Sequence, residues 1–69
     1  MVVIELKAGK ANDRAIAQIL GYMGDLMEEE GAEGKPVRGI LIAHDFDTRA
    51  RSAARAVPTL TLKRYNIAF

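Results

Sequence analysis

Cysteine is absent from this chain of 69 residues and histidine occurs once. No disulfide can brace the fold, and no Cys/His cluster can supply a structural metal. A single core in a domain this small rarely supplies more than roughly 3–5 kcal/mol. Yet hydrophobic residues make up 49% of the chain, rich for a unit with so much surface relative to volume. Oligomerisation is the brace that remains, so self-association, most simply a homodimer, is expected. Long apolar runs are also lacking: none approaches the roughly 20 residues needed to span a bilayer. No signal-peptide pattern opens the sequence. Together these features predict a cytoplasmic protein without a membrane partner. Charge of one sign is missing too, with 10 Lys and Arg against 9 Asp and Glu, for a net charge of +1. A global attraction to nucleic acid or membrane is therefore excluded. No Gly-rich phosphate loop, zinc-ligand spacing or nucleophile elbow appears.

What is present is unevenly placed. Acidic residues gather at Glu28-Glu29-Glu30 and Glu33, whereas Arg38, Arg49, Arg51, Arg55, Lys63 and Arg64 make the second half basic. The asymmetry permits a local phosphate-binding surface, and it is equally compatible with solvated helix faces. Val2 to Leu6 is a short β-branched run and reads as a strand. Ala8-Gly9-Lys10-Ala11 reads as a turn, with Asn12 as helix N-cap. Ile16, Ile19, Leu20, Met23, Leu26 and Met27 then recur at three- and four-residue steps. They predict an amphipathic helix from Asp13 to about Glu30, ending at Gly31. Val37–Ala43 reads as a second strand. Its apolar run Ile40-Leu41-Ile42-Ala43 lacks alternation, which predicts a strand covered on both faces.

His44-Asp45-Phe46-Asp47 reads as a loop, with Asp45 or Asp47 capping a helix over Thr48–Ala56 that Val57-Pro58 stops. Thr59–Lys63 alternates as a half-buried strand. Tyr65-Ile67-Phe69 has the opposite parity, implying a break near Arg64. The order is β-α-β-α-β in one small α/β domain over residues 1–69, with parallel strands joined by right-handed crossovers. Three strands leave two open edges, which again favours association.

The chemistry centres on Glu5-Leu6-Lys7. Residues two apart on a strand share a face, so a carboxylate and an ammonium stand side by side. One can hold a divalent metal while the other steadies an anionic nucleophile or a phosphate. The same triplet also serves as an ordinary solvated strand edge. On the following helix Gln18 and Tyr22 lie four residues apart, on a polar flank beside the apolar stripe, with Arg14 and Asp25 nearby. His44 at the end of a strand is either a ligand or a loop-capping histidine. Arg49, Arg51 and Arg55 either contact phosphates or keep a short helix soluble.

Val3-Ile4-Glu5-Leu6-Lys7, followed by a helix carrying Gln18-Ile19-Leu20-Gly21-Tyr22, resembles the restriction-endonuclease-like nucleases known by the pattern PD-(D/E)XK. The resemblance is to their RecB-like and NucS-like branches. Val37-Arg38-Gly39-Ile40-Leu41-Ile42-Ala43-His44 is similar to the strand after that helix in NucS-like proteins. The resemblance implies Mg²⁺- or Mn²⁺-dependent hydrolysis of a phosphodiester in DNA. It makes Glu5 a metal ligand, Lys7 the group that orients the attacking water and stabilises developing charge, and Gln18 and Tyr22 positioning residues. Lys10, Arg14 and Arg49 become candidate contacts to the nucleic acid.

These nucleases carry a further acid on a strand before Glu-x-Lys, and Glu5 lies too near Met1 for that strand. The chain is therefore expected to correspond to the C-terminal half of the nuclease fold, completed by a partner subunit or a longer chain, or else inactive alone. Two rivals stand beside this reading. One is a non-catalytic dimerisation or interaction module, and the other is a nucleic-acid binder without catalysis.

Overall fold

The computed structural model describes residues 1–66. Three strands and two helices alternate: β1 (Val2–Ala11), α1 (Asp13–Met27), β2 (Arg38–Phe46), α2 (Thr48–Arg55) and β3 (Leu60–Arg64). The strands form one open parallel sheet in the order β1-β2-β3. Crossovers that step the same way across adjacent strands place both helices on the same side. The core agrees: Ile16, Ile19 and Met23 of α1 and Ala50 and Ala54 of α2 are buried with Leu41 and Ala43 of β2. Leu41, Ala43, Ile19 and Ala50 are wholly inaccessible, so the core is the single seam between one sheet face and the helix pair.

Each element has a local cause. Asn12 is extended, and its Oδ1 accepts from the amides of Arg14 at 3.0 Å and Ala15 at 3.4 Å, satisfying amides that have no partner in the first helical turn. Asp47 does the same for α2, its Oδ1 accepting from the Ala50 amide at 2.8 Å. The close fit of α1 to the sheet depends on Gly39. Its Cα lies beneath Met23, Ile19 and Leu60, where a Cβ has no free space.

Several expectations need correction. Among the described residues, the apolar run of β2 is fully covered on one face only. Leu41 and Ala43 are buried, whereas Ile40 and Ile42 point to the other face and are half-buried. Ala8–Ala11 is not a free turn but the end of β1, carried past a bulge. Lys7 pairs with Ala43 and Lys10 with Asp45, so β1 holds one extra residue there. Gly9 absorbs it at φ 73°, a left-handed conformation that glycine adopts without a Cβ clash.

Helix α1 ends at Met27 with Glu28 as its C-cap, before Gly31, and Met27 is exposed instead of joining the core stripe. His44, Asp45 and Phe46 extend β2 instead of forming a loop. β3 runs in regular register to Arg64 and ends there, so the break expected near Arg64 falls at the end of the strand. Ile67 and Phe69 lie outside the described residues. Among the described residues no helix is long and apolar enough to cross a membrane.

Candidate nucleic-acid interface

Alternation along β1 divides its side chains cleanly. Val2, Ile4 and Leu6 are exposed on one face, while Val3, Glu5 and Lys7 are half-buried on the other. Val3 packs against the helix-covered core, so Glu5 and Lys7 stand on the helix side, opposite buried Leu41 and Ala43 in register. Two charges are tolerated there because β1 is an edge strand and both side chains stay partly exposed to water. Lys7 Nζ lies 3.8 Å from Glu5 Oε1, with side-chain exposures of 33% and 26% respectively. This is an ion pair without a close hydrogen bond, worth about 0–1 kcal/mol at a wet surface.

The bulge re-aims the end of the strand. Beyond Lys7 the extra residue changes which side chains β1 presents, and the strand runs through buried Ala11 directly into the Asn12 cap. An open depression of about 610 Å³ results, between the end of β1 and the first two turns of α1. Lys7, Lys10, Asn12, Arg14 and Gln18 supply its polar wall, with alanines between them. Arg14 and Gln18 are four residues apart, one turn of the same helix face. Three cations therefore converge on one concavity, and among the described residues no carboxylate lines it. Gln18 Nε2 donates to Tyr22 Oη at 3.2 Å, which ties the tyrosine to the site without making it part of the wall.

The sequence-predicted residues thus separate into groups. Lys7, Lys10, Arg14 and Gln18 come together around the depression. Glu5 adjoins them through Lys7, and Tyr22 adjoins them through Gln18. Arg49 stands on α2, apart from the depression's wall. Asn12 lines the site as well as capping the helix, a second role not drawn from the sequence. The signal for it was its position, immediately between Lys10 and Arg14.

A second polar cluster lies at the end of β2. Asp45 Oδ1 accepts from Arg51 Nη2 at 2.9 Å and lies 3.7 Å from Arg64 Nε. The Phe46 backbone amide holds the Asp45 carboxyl below its ordinary pKa, and Arg64 and Arg51 add to the effect while partial desolvation opposes it. The cluster links β2, α2 and β3 and accounts for Asp45 structurally. The His44 and Tyr65 rings meet in a T-shaped arrangement, with centroids 6.2 Å apart.

The described residues bring together only part of a divalent-metal site. Mg²⁺ favours near-octahedral oxygen ligation, and a single carboxylate is a poor start toward it. Among the described residues no group of three or more His, Cys, Asp or Glu side chains converges. Glu5 faces an ammonium instead of a second acid. No protein-family model, curated protein or solved structure matches the chain.

Proposed function

We propose that the chain binds the phosphodiester backbone of DNA in the depression between β1 and α1, as the C-terminal half of a restriction-endonuclease-like domain. The supporting observation is the convergence of Lys7, Lys10 and Arg14 with the Gln18 amide on a single concavity whose wall, among the described residues, holds no carboxylate, Glu5 lying beside Lys7. Ammonium and guanidinium groups neutralise phosphate charge, and arginine adds a planar fork of donors that matches phosphate oxygens. Gln18 and the Asn12 side chain add neutral hydrogen-bonding groups for fixing register. The small net charge of +1 is consistent with a confined contact rather than a long basic track.

Fluorescence anisotropy with a short DNA duplex, across a range of NaCl concentrations, tests this. Contacts to three phosphates give a slope of log K against log salt of about −2.7. Lys10→Ala and Arg14→Ala should each make the slope shallower by about 1. Arg49→Ala should leave it unchanged. Absence of binding at low salt, or slopes indifferent to the first two substitutions, refutes the reading.

Cleavage is the second reading, favoured by Glu5 and Lys7 sharing one face of β1. It requires at least one acid beyond those that the described residues bring together, so we assign no hydrolytic step to this chain by itself. Calorimetric titration with Mn²⁺ separates the cases. Binding heat that disappears in Glu5→Ala means that the missing ligand is supplied within an assembly. No binding heat leaves DNA binding without catalysis.

A further inference from the structure

We infer that Glu5 competes with the DNA phosphate for Lys7, so that the empty depression keeps one of its three cations engaged elsewhere. The inference rests on the DNA-binding reading and concerns what sets the affinity of that site. Glu5 and Lys7 stand on the helix side of β1, both half-buried. Lys7 has two surroundings at once. Its ammonium lies 3.8 Å from Glu5 Oε1, and the same side chain lines the depression with Lys10 and Arg14. Glu5 is not part of that wall. Among the described residues Lys10 and Arg14 have no carboxylate partner, since the ion pairs join Glu5 to Lys7 and Asp45 to Arg51 and Arg64. An arriving phosphate therefore meets two unengaged cations and one that already has a counter-ion.

The contact between Glu5 and Lys7 is suited to exchange. At 3.8 Å it is longer than a charge-assisted hydrogen bond of about 2.7–2.9 Å, and side-chain exposures of 33% for Lys7 and 26% for Glu5 leave both ends wet. Such a pair is weak, so breaking it costs little. Lysine fits this role better than arginine, because its ammonium is a point charge on a flexible stem with rotatable donors. Rotations of that stem shift the charge from Glu5 toward the depression without moving β1. Lys10 and Arg14 take the phosphate first, and Lys7 then turns to it. Glu5 is thus a positioning residue that acts through Lys7. Its carboxylate also repels an anion brought near Lys7. Both effects weaken binding, and both make the site selective. A ligand that offers Lys7 only another carboxylate gains nothing from the exchange, whereas a phosphate held by Lys10 and Arg14 does.

Anisotropy titrations with the short DNA duplex, in EDTA at low salt, test the inference. EDTA removes divalent cations, so a loss of metal ligation at Glu5 cannot contribute. Glu5→Gln nearly keeps the size of the side chain and removes its charge. It should tighten binding by about 2- to 5-fold, the range set by a wet ion pair, and the gain should fade as salt is raised. In a Lys7→Met background the same substitution should give less than about half that gain, because the two residues are coupled. Unchanged or weaker binding in Glu5→Gln overturns the inference. An equal gain in both backgrounds also overturns it, since Glu5 is then a bystander charge.

The DNA reading is judged separately. It stands if Lys10→Ala and Arg14→Ala make the salt slope shallower, whatever Glu5→Gln does, and a wild type that binds no DNA overturns both. Should Glu5→Gln fail to fold, the wild type still decides. The carbon-13 signal of the Glu5 carboxyl should move as DNA is added and Lys7 leaves it, saturating together with the anisotropy. A signal that stays fixed while DNA binds overturns the inference.

Discussion

Gly39 shows how much one residue's size can carry in a domain with a single thin core. A Cβ added there meets Met23 Sδ at 2.5 Å, Leu60 Cδ1 at 3.1 Å and Ile19 Cδ1 at 3.4 Å. The flexible methionine can yield, but Leu60 and Ile19 are held by their own packing. Gly39→Ala should therefore destabilise the fold by about 1–3 kcal/mol despite a better strand former at that position, measurable as a lower urea midpoint. Asp45 acts through charge. Its carboxyl pKa is depressed in the folded state, chiefly by the Phe46 amide and then by Arg64 and Arg51. A depressed carboxyl contributes stability that is fully present above its unfolded value, 3.8, and is lost as pH falls through the folded value. The difference in urea midpoint between wild type and Asp45→Asn should accordingly be present near pH 5 and shrink toward pH 3. Sequence alone offered Asp45 and Asp47 as alternative helix caps. Only the packing of α2 and β3 around Asp45 separates the cap from the ion-pair partner.

At the scale of elements, legibility followed the locality of the cause. The start of α1 was plain because Asn12 satisfies amides only two and three residues away. Asn12→Ala should destabilise the protein by about 1 kcal/mol, seen in thermal unfolding, and loosen the wall of the depression that Asn12 lines. The end of β1 was obscure because Ala8-Gly9-Lys10-Ala11 has the composition of a turn. What holds it in the sheet is pairing of Lys10 and Ala11 with Asp45 and Phe46 of β2, a contact distant in sequence. The proposed site inherits both outcomes. Lys7, Lys10, Arg14 and Gln18 were each readable as candidates, yet the bulge that gathers them was not. Arg49 was chosen by residue type alone, and the placement of α2 sets it apart. The missing second cover over Ile40 and Ile42 has a similar origin. A run without alternation demands that both faces be apolar, but it does not say whether this chain or another molecule covers the second.

For the whole molecule, the face that the described residues leave open bears on stability as well as assembly. Among the described residues the buried core lies on one side of a three-stranded sheet, and no disulfide adds to it. A chain of this size sits near the lower limit for independent folding. The self-association expected from the sequence would, if it covers Ile4 and Leu6, add apolar contact to this one-sided core. If folding and dimerisation are coupled in this way, unfolding releases two chains, and the folded state gains by mass action. Each tenfold rise in concentration then adds about 1.4 kcal/mol per dimer, which moves Tm upward by several degrees. Scanning calorimetry at increasing concentrations should show that rise in the wild type. The Ile4→Thr, Leu6→Thr pair should lose the concentration dependence along with part of its stability. A wild-type Tm independent of concentration would mean that the one-sided core suffices alone, leaving the aliphatic face without a role in holding the fold.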